Sequence, residues 1–395
     1  MVEEDVIMFK ILKNGHVYAP QDMGIKDVLL VNNTIAYIAD KIDGNAGYGE
    51  TKVYDVKGCS VLPGFIDQHV HLIGGGGEGG FSTRTPEVML SELTSAGITT
   101  VVGTLGTDSV TRHMESLLAK ARGLEEEGIS TWIYTGAYDV PVPTLTGSAR
   151  SDIIIIDKVI GVGEVAMSDH RSSQPSKEDF AQLAAQARVG GMLSGKAGVL
   201  HIHLGDGKRK LDWVFEILAE TDLPITQFTP THFNKNKNLF MEGVKFAKAG
   251  GMLDITTSSA TVAPGRVQPP EALKICVDAG VPLDRITMSS DGNGSMPVFN
   301  EKGELKGLIA ASPRSLYNAV RNIVKAGILP LEDAIKLITI NPAQSLKLRK
   351  KGMVIKGYDA DIVVVDKELN IRHVFAKGRC MVKDQQVIVK GVFEK

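Results

Sequence analysis

The chain has 395 residues and an almost balanced charge, with 44 Lys and Arg against 46 Asp and Glu. A net charge of −2 gives no electrostatic case for nucleic acid or an anionic membrane surface as a partner. The length exceeds one ordinary domain and suits a barrel of about 250–300 residues with a smaller companion.

The opening MVEEDVIMFKILKNG places acidic residues before a short apolar run without a small-residue cleavage pattern, so it does not read as a signal peptide. No apolar stretch approaches the ~20 residues of a membrane span. Cys59, Cys276 and Cys380 are far apart and form no CxxC pair, which predicts reduced thiols in a cytoplasmic protein that does not associate with membranes. The first sixty residues read as short strands with turn punctuation: VIMFKIL, Asn14-Gly15, HVYA, VLLV, Asn32-Asn33, TIAYIA and KVYDV. The C-terminal stretch repeats the pattern in DADIVVVD, IRHVFAKG, MVKDQQ and VIVKGVF. Two all-β ends predict one small β-sandwich domain, residues 1–63 plus 351–395, assembled from both chain ends.

Between them, over residues 64–350, short β-branched runs such as TTVVGTL, STWIYTG, VIGVGEVA, VLHIHL, PITQFTP, GMLDITT and RITMSSD alternate with segments of helical spacing. Repeated βα units imply parallel strands with helices outside. No G-x-G-x-x-G follows any strand, and GGGG at 74–77 leads into a turn, so an open dinucleotide-binding sheet is rejected. The expected fold is α/β, a (β/α)₈ TIM-like barrel with the β-sandwich beside it.

Metal-ligand residue types recur at the ends of these runs: His69 and His71 in FIDQHVHL, Glu164 in VIGVGEVAM, His203 in HIHLGD, His232 in TPTHFN and Asp291 in SSDGNGS. This is the arrangement expected of a metal centre at the C-terminal mouth of a barrel. Strand residues two apart share a face, so His69 and His71 project together. An isolated H-x-H is commonplace. The preceding PGFID, the following glycines and the later ligand types make this one a metal candidate. His201 and His203 also share a face. His203 is nearer the strand end and is the better ligand, while His201, one layer deeper, reads as a core or supporting histidine.

These motifs resemble the amidohydrolase superfamily and, within it, the isoaspartyl (β-aspartyl) dipeptidases. PGFIDQHVH, the Asp of the last barrel strand, NPAQSL at 341–346 and KGMVIKGYDADIVVVD at 351–366 carry the superfamily likeness. HVHLIGGGGEGG, GTLGTDS, TGAYDVP, SDHRSS, THFN and SSDGNGS carry the narrower one. The resemblance spans essentially the whole chain. It implies one or two divalent metals per subunit, normally zinc, with His69 and His71 on the first, His203 and His232 on the second, and Asp291 binding the first metal while shuttling a proton. It implies cleavage of the isopeptide bond of β-aspartyl dipeptides by metal-activated hydroxide, in a homo-oligomer, an octamer by family resemblance.

One departure stands out. A carboxylated lysine normally bridges the two metals, and Glu164 occupies that position. Both groups carry one negative carboxylate, but glutamate reaches roughly 3–4 Å less when extended. A metal pair needs about 3.5–4 Å separation and a well-placed bridge. Either the strand or the metals shift to meet Glu164, or one metal is held weakly or lost. Lys158 cannot substitute, because it lies six residues upstream, ~20 Å along a strand toward the other mouth.

By resemblance, Glu78 receives the substrate's α-ammonium and Gly76 and Thr107 add backbone or hydroxyl contacts, although Thr107 equally suits a helix cap before DSVTRH. Tyr138 polarises the scissile carbonyl, Arg171 binds a substrate carboxylate, and Ser295 adds another contact. The family's second arginine is Lys235, which keeps the charge without the planar fork. The polar segment 143–152 suits a closing lid or a plain connecting loop. The rival readings are a cyclic-amide hydrolase of hydantoinase or dihydroorotase type, and a non-catalytic metal-binding homologue. Glu78, Arg171 and Ser295 argue against the first, Asp291 and Tyr138 against the second.

Overall fold

A computed structural model describes residues 8–44, 49–258, 265–299 and 305–395. Residues 1–7, which carry part of the leader reading and the start of the first predicted strand, lie outside the described residues, as do residues 45–48 of the predicted sandwich segment. Eight short strands form the barrel: β1 (Phe65–Val70), β2 (Ile98–Gly103), β3 (Ser130–Thr135), β4 (Val159–Met167), β5 (Val199–Leu204), β6 (Phe228–Thr231), β7 (Leu253–Thr256) and β8 (Ile286–Ser289). β1 to β6 make one parallel ladder in chain order, and β7 pairs with β8. Every residue of β1, β2, β4 and β5 is buried. Strands covered on both faces need side chains that are apolar on both, which is why their sequences read as continuous runs instead of alternating ones.

A helix follows each strand: Leu90–Thr94, Met114–Glu127, Ala149–Ile155, Lys177–Ser194, Asp212–Glu220, Lys237–Lys248, Pro269–Asp278 and Ser315–Lys325. In Met114–Glu127 the buried side chains are Met114, Leu117, Ala121 and Leu124, one stripe at helical spacing laid on the strands. Lys177–Ser194 opens with a capping box. The Asp179 amide donates to the Ser176 hydroxyl, and the Ser176 amide donates to the Asp179 carboxylate.

The seams on either side of the β7–β8 pair are stitched by side chains. Buried Asp254 on β7 accepts from Gln68 Nε2 (2.7 Å) and Thr287 Oγ1 (2.8 Å) on one oxygen. Its other oxygen accepts from Thr231 Oγ1 (2.7 Å) and Ser289 Oγ (2.6 Å). One carboxylate thus ties β1, β6, β7 and β8 together. At the mouth, Val70 bridges Gly292 in parallel, and the Ser290 amide donates to Asp67. At the opposite end Ile66, Tyr134, Ile160 and Val199 pack with Ala343, Leu346 and Leu348, so the NPAQSL segment plugs the barrel floor. Asn341 holds that segment in place by donating to the carbonyls of Leu283 and Ile286.

The chain ends meet in a second sheet. Phe9–Tyr18 runs parallel to Ser60–Pro63, which pairs antiparallel with Ile362–Val365. Along Ile362–Val365, Ile362 and Val364 enter the sandwich core while Val363 and Val365 join the barrel core, so period-two alternation serves two buried faces. The predicted turn at Asn14-Gly15 is instead a bulge inside one long strand. Asn14 takes a left-handed φ of 61°, its amide donates to Asp27, and its side chain donates to Asp55. A Cβ at Gly15 would come within 2.5 Å of Val61, so close packing is what requires glycine there. The hairpin of Ser295–Phe299 with Leu305–Ala310, following β8, is absent from the sequence reading.

Replacing Asp254 with Ala leaves four buried donors without their acceptor. Asp254→Ala should cost on the order of 3–5 kcal/mol of stability, read as a lower denaturation midpoint, whereas Asp254 contributes no group to the mouth described next.

Candidate metal centre

Glu164 organises the mouth. It is buried, and its two carboxylate oxygens face two different imidazole pairs. Oε1 lies 3.5 Å from both His69 Nε2 and His71 Nε2. Oε2 lies 2.9 Å from His203 Nδ1 and 3.6 Å from His232 Nε2. Asp291 Oδ1 closes the first cluster at 3.4 Å from His69 and 3.1 Å from His71. Three ligand sets result, each compact enough for one cation: His69–His71–Glu164, His69–His232–Asp291 and Glu164–His203–His232.

Glu164 stands on a bulge of its strand. Register passes from Leu200↔Val162 to Ile202↔Val165, so Gly163 and Glu164 both stand opposite His201. The Glu164 amide leaves the ladder and donates to Thr104 Oγ1 (2.9 Å). A Cβ on Gly163 would sit 2.6 Å from His201 Cβ, so the bulge demands glycine.

His201 sets the protonation of the nearest ligand. Its Nδ1 lies 2.8 Å from the Thr229 carbonyl, which only accepts, so Nδ1 carries the hydrogen. Burial and the neighbouring His69 push its pKa down to about 3, and the neutral ring presents Nε2 as an acceptor. His69 Nδ1, 2.8 Å away, must donate to it. His69 Nε2 is then directed at the two carboxylates, buried and without a hydrogen-bond partner. An orphaned imidazole nitrogen between two carboxylates fits a cation.

The electrostatics agree. Burial opposes the charge on Glu164, yet His69 and His203 hold its carboxyl well below the usual range. Burial likewise opposes Asp291, and the adjacent His69 and the hydrogen-bonded His71 hold it well below. Burial disfavours a charged His69, but Glu164 and Asp291 keep it well above its ordinary value. The field that retains a proton on His69 is the field that a divalent cation would occupy after displacing that proton.

A cavity of about 300 Å³ opens over this cluster, and every candidate ligand and substrate-binding residue lines it except His69, which lies beneath. Tyr138 Oη is 2.6 Å from His203 Nδ1, and burial next to Glu164 pushes its phenol well above 10. Glu78 accepts from Thr107 Oγ1 (2.8 Å) and Arg171 Nη1 (3.0 Å). Thr107 therefore serves Glu78 and not a helix, whose cap falls at His113. Gly76, at φ 69°, packs so closely that a Cβ would come within 2.6 Å of Ser295 Cβ. Lys235 Nζ lies 2.9 Å from His203 Nε2 and donates to the Leu204 carbonyl (2.5 Å); burial and Arg171 lower its pKa to about 8. Segment 143–152 is held by buried Asp152, which accepts from the Leu145 and Thr146 amides and the Thr135 hydroxyl, as a connecting turn is held.

Two residues escaped the sequence reading. Asp169 accepts twice from Arg171, at Nε (2.9 Å) and Nη2 (2.8 Å), and its Oδ2 lies 3.2 Å from His203 Nε2. It sits in SDHRSS, but nothing in the motif separates it from a helix-capping aspartate. Arg266 lines the cavity from the segment after β7, where no motif marks it.

The amidohydrolase family model matches residues 60–393. The fold superposes on the crystal structure of a β-aspartyl dipeptidase from Fervidobacterium islandicum AW-1 in complex with β-Asp-Leu dipeptide. The TM-score is 0.90 at 44% identity, over 96% of this chain and 98% of that one. A further structure of that enzyme gives 0.88 at 43% identity, with the same coverage. Among curated proteins, a dihydroorotase of Elusimicrobium minutum is 24% identical over 417 residues, 93% of this chain and 90% of its own. A dihydropyrimidinase of Brevibacillus agri shares the fold, with a TM-score of 0.66 at 15% identity over 97% of each chain.

His201→Phe keeps a ring to stack on Tyr134 but removes the acceptor that orients His69. It should weaken metal binding roughly 10–100-fold in chelator competition while leaving the fold intact; unchanged affinity would show that His201 does not set the ligand.

Proposed function

The chain belongs to the amidohydrolase family, and within this family of hydrolytic enzymes we propose that it cleaves the isopeptide bond of β-aspartyl dipeptides. The observation that carries this reading is the placement of Glu78, tied to Arg171 and Thr107, on the same cavity wall as Tyr138 and the two-sided Glu164 cluster. A β-linked dipeptide offers a free α-ammonium, two carboxylates and one scissile carbonyl. An acid, several cations and an oxyanion donor at one mouth match that set. The likeness to an enzyme whose crystal holds β-Asp-Leu supports the choice.

Glu164, with His69, His71 and Asp291 on one side and His203 and His232 on the other, would hold the divalent metal, one or two zinc ions per subunit. Bound there, a divalent metal supplies a Lewis acid that acidifies water and polarises a carbonyl. The remaining work falls to side chains. Tyr138, protonated at any working pH, donates to the carbonyl oxygen as negative charge builds on it. Asp291 takes the proton of the attacking water and returns it to the departing amine. Glu78 receives the α-ammonium, Arg171, Lys235 and Ser295 receive carboxylate, and Thr107 holds Glu78 in place.

The purified protein should hydrolyse β-Asp-Leu and spare α-Asp-Leu; the converse, or preferential opening of dihydroorotate, would replace this reading by a different amidohydrolase activity. Glu164 carries its charge without CO₂, so metal-stripped protein should regain full activity when zinc is added in bicarbonate-free buffer. Recovery that depends on bicarbonate would count against Glu164 as the bridge. Asp291→Asn should lower kcat about 10²–10⁴-fold with the unfolding temperature retained, and near-normal turnover would remove Asp291 from the proton path.

A further inference from the structure

Three cations line the cavity: Arg171, Lys235 and Arg266. Two of them already have partners. Arg171 holds Asp169 through Nε and Nη2 and Glu78 through Nη1. Lys235 donates to the Leu204 carbonyl and lies against His203 Nε2. Arg266 differs. Its Nε is buried without a hydrogen-bond partner, and its guanidinium makes no ion pair among the described residues. A guanidinium that is partly buried with its Nε–H unused carries a cost, and a ligand that brings the anion removes it.

The side chain is also aimed by construction. Next to it, the Val267 amide donates to the Asn234 carbonyl (3.0 Å), and Asn234 Nδ2 donates back to the Val267 carbonyl (3.0 Å). Asn234 further exchanges two hydrogen bonds of 3.0 Å with Thr256 on β7. It stands between His232 and Lys235 in sequence, so Arg266 is pinned to the element that carries a metal-ligand candidate and the neighbouring cation. A planar fork grips a carboxylate with two parallel hydrogen bonds, whereas the Lys235 ammonium offers a point charge.

We propose that Arg266 is a specificity-determining residue that binds one of the two substrate carboxylates bidentately, supplying the fork that Lys235 lacks. The inference rests on the dipeptide reading. Its test compares wild type, Arg266→Met and Arg266→Lys on three substrates: β-Asp-Leu, β-Asp-leucinamide, and the β-linked peptide whose α-carboxylate is amidated. Arg266→Met should raise KM for β-Asp-Leu roughly 10–100-fold with a smaller change in kcat, and Arg266→Lys should recover part of the loss. For the amide that lacks the bound carboxylate, the same substitution should change KM less than threefold, which identifies the carboxylate. Equal losses on all three substrates, or no loss on any, would overturn the proposal. Failure of wild type to cleave β-Asp-Leu would refute the dipeptidase reading instead. Arg266 is then judged by titration calorimetry with succinate on the zinc-loaded proteins, where at least tenfold weaker binding by Arg266→Met supports the role and equal binding rejects it.

Discussion

A single buried carboxylate governs the architecture of the mouth. Glu164 sits where an isolated anion would be driven to its neutral form, because desolvation of a charge in a barrel core is very costly. The imidazoles of His69, His71, His203 and His232 offset that cost, and they can do so only if each oxygen faces its own pair. Two-sided use of one carboxylate fixes where β1, β4, β5 and β6 must end relative to one another. The same requirement explains why supporting groups beneath the ligands are polar: His201 and Thr229 orient His69, and Thr104 holds the displaced amide of Glu164.

Rigidity elsewhere makes this placement hold. The floor is plugged by NPAQSL packing, and the seams beside β7 and β8 are held by Asp254, whose four donors come from three neighbouring strands. Satisfied on every side, such a network specifies one register, since slipping any strand would strand a buried donor. The loops above are then free to carry chemistry, in the division of labour usual for barrels of this kind. Charge is layered outward from the centre. Carboxylates meet imidazoles at the bottom, Tyr138 lies beside them, and Arg171, Lys235 and Arg266 line the cavity above.

Much of this was legible in the sequence because parity and strand ends carry strong information. His69 and His71, two apart, do approach the same oxygen, and His203 proves nearer Glu164 than His201, which instead supports His69. Other features depend on long-range neighbours that local patterns do not encode. Asn14-Gly15 reads as a turn by composition, yet Asp27, Asp55 and Val61, all distant in sequence, make it a bulge. Thr107 reads equally as a cap or a contact until Glu78 is placed beside it. Arg266 gives no local signal at all. Its position is set by Asn234, whose side chain could have bonded to any loop.

Glu164 also shows how one ligand is built into the backbone around it. The bulge at Gly163 and Glu164 sets two residues of β4 against one of β5. Its consequences spread: Gly163 is required because His201 presses on it, and Thr104 must replace the ladder partner that Glu164 gives up. The identity of one ligand therefore dictates a glycine, a threonine and a strand register around it.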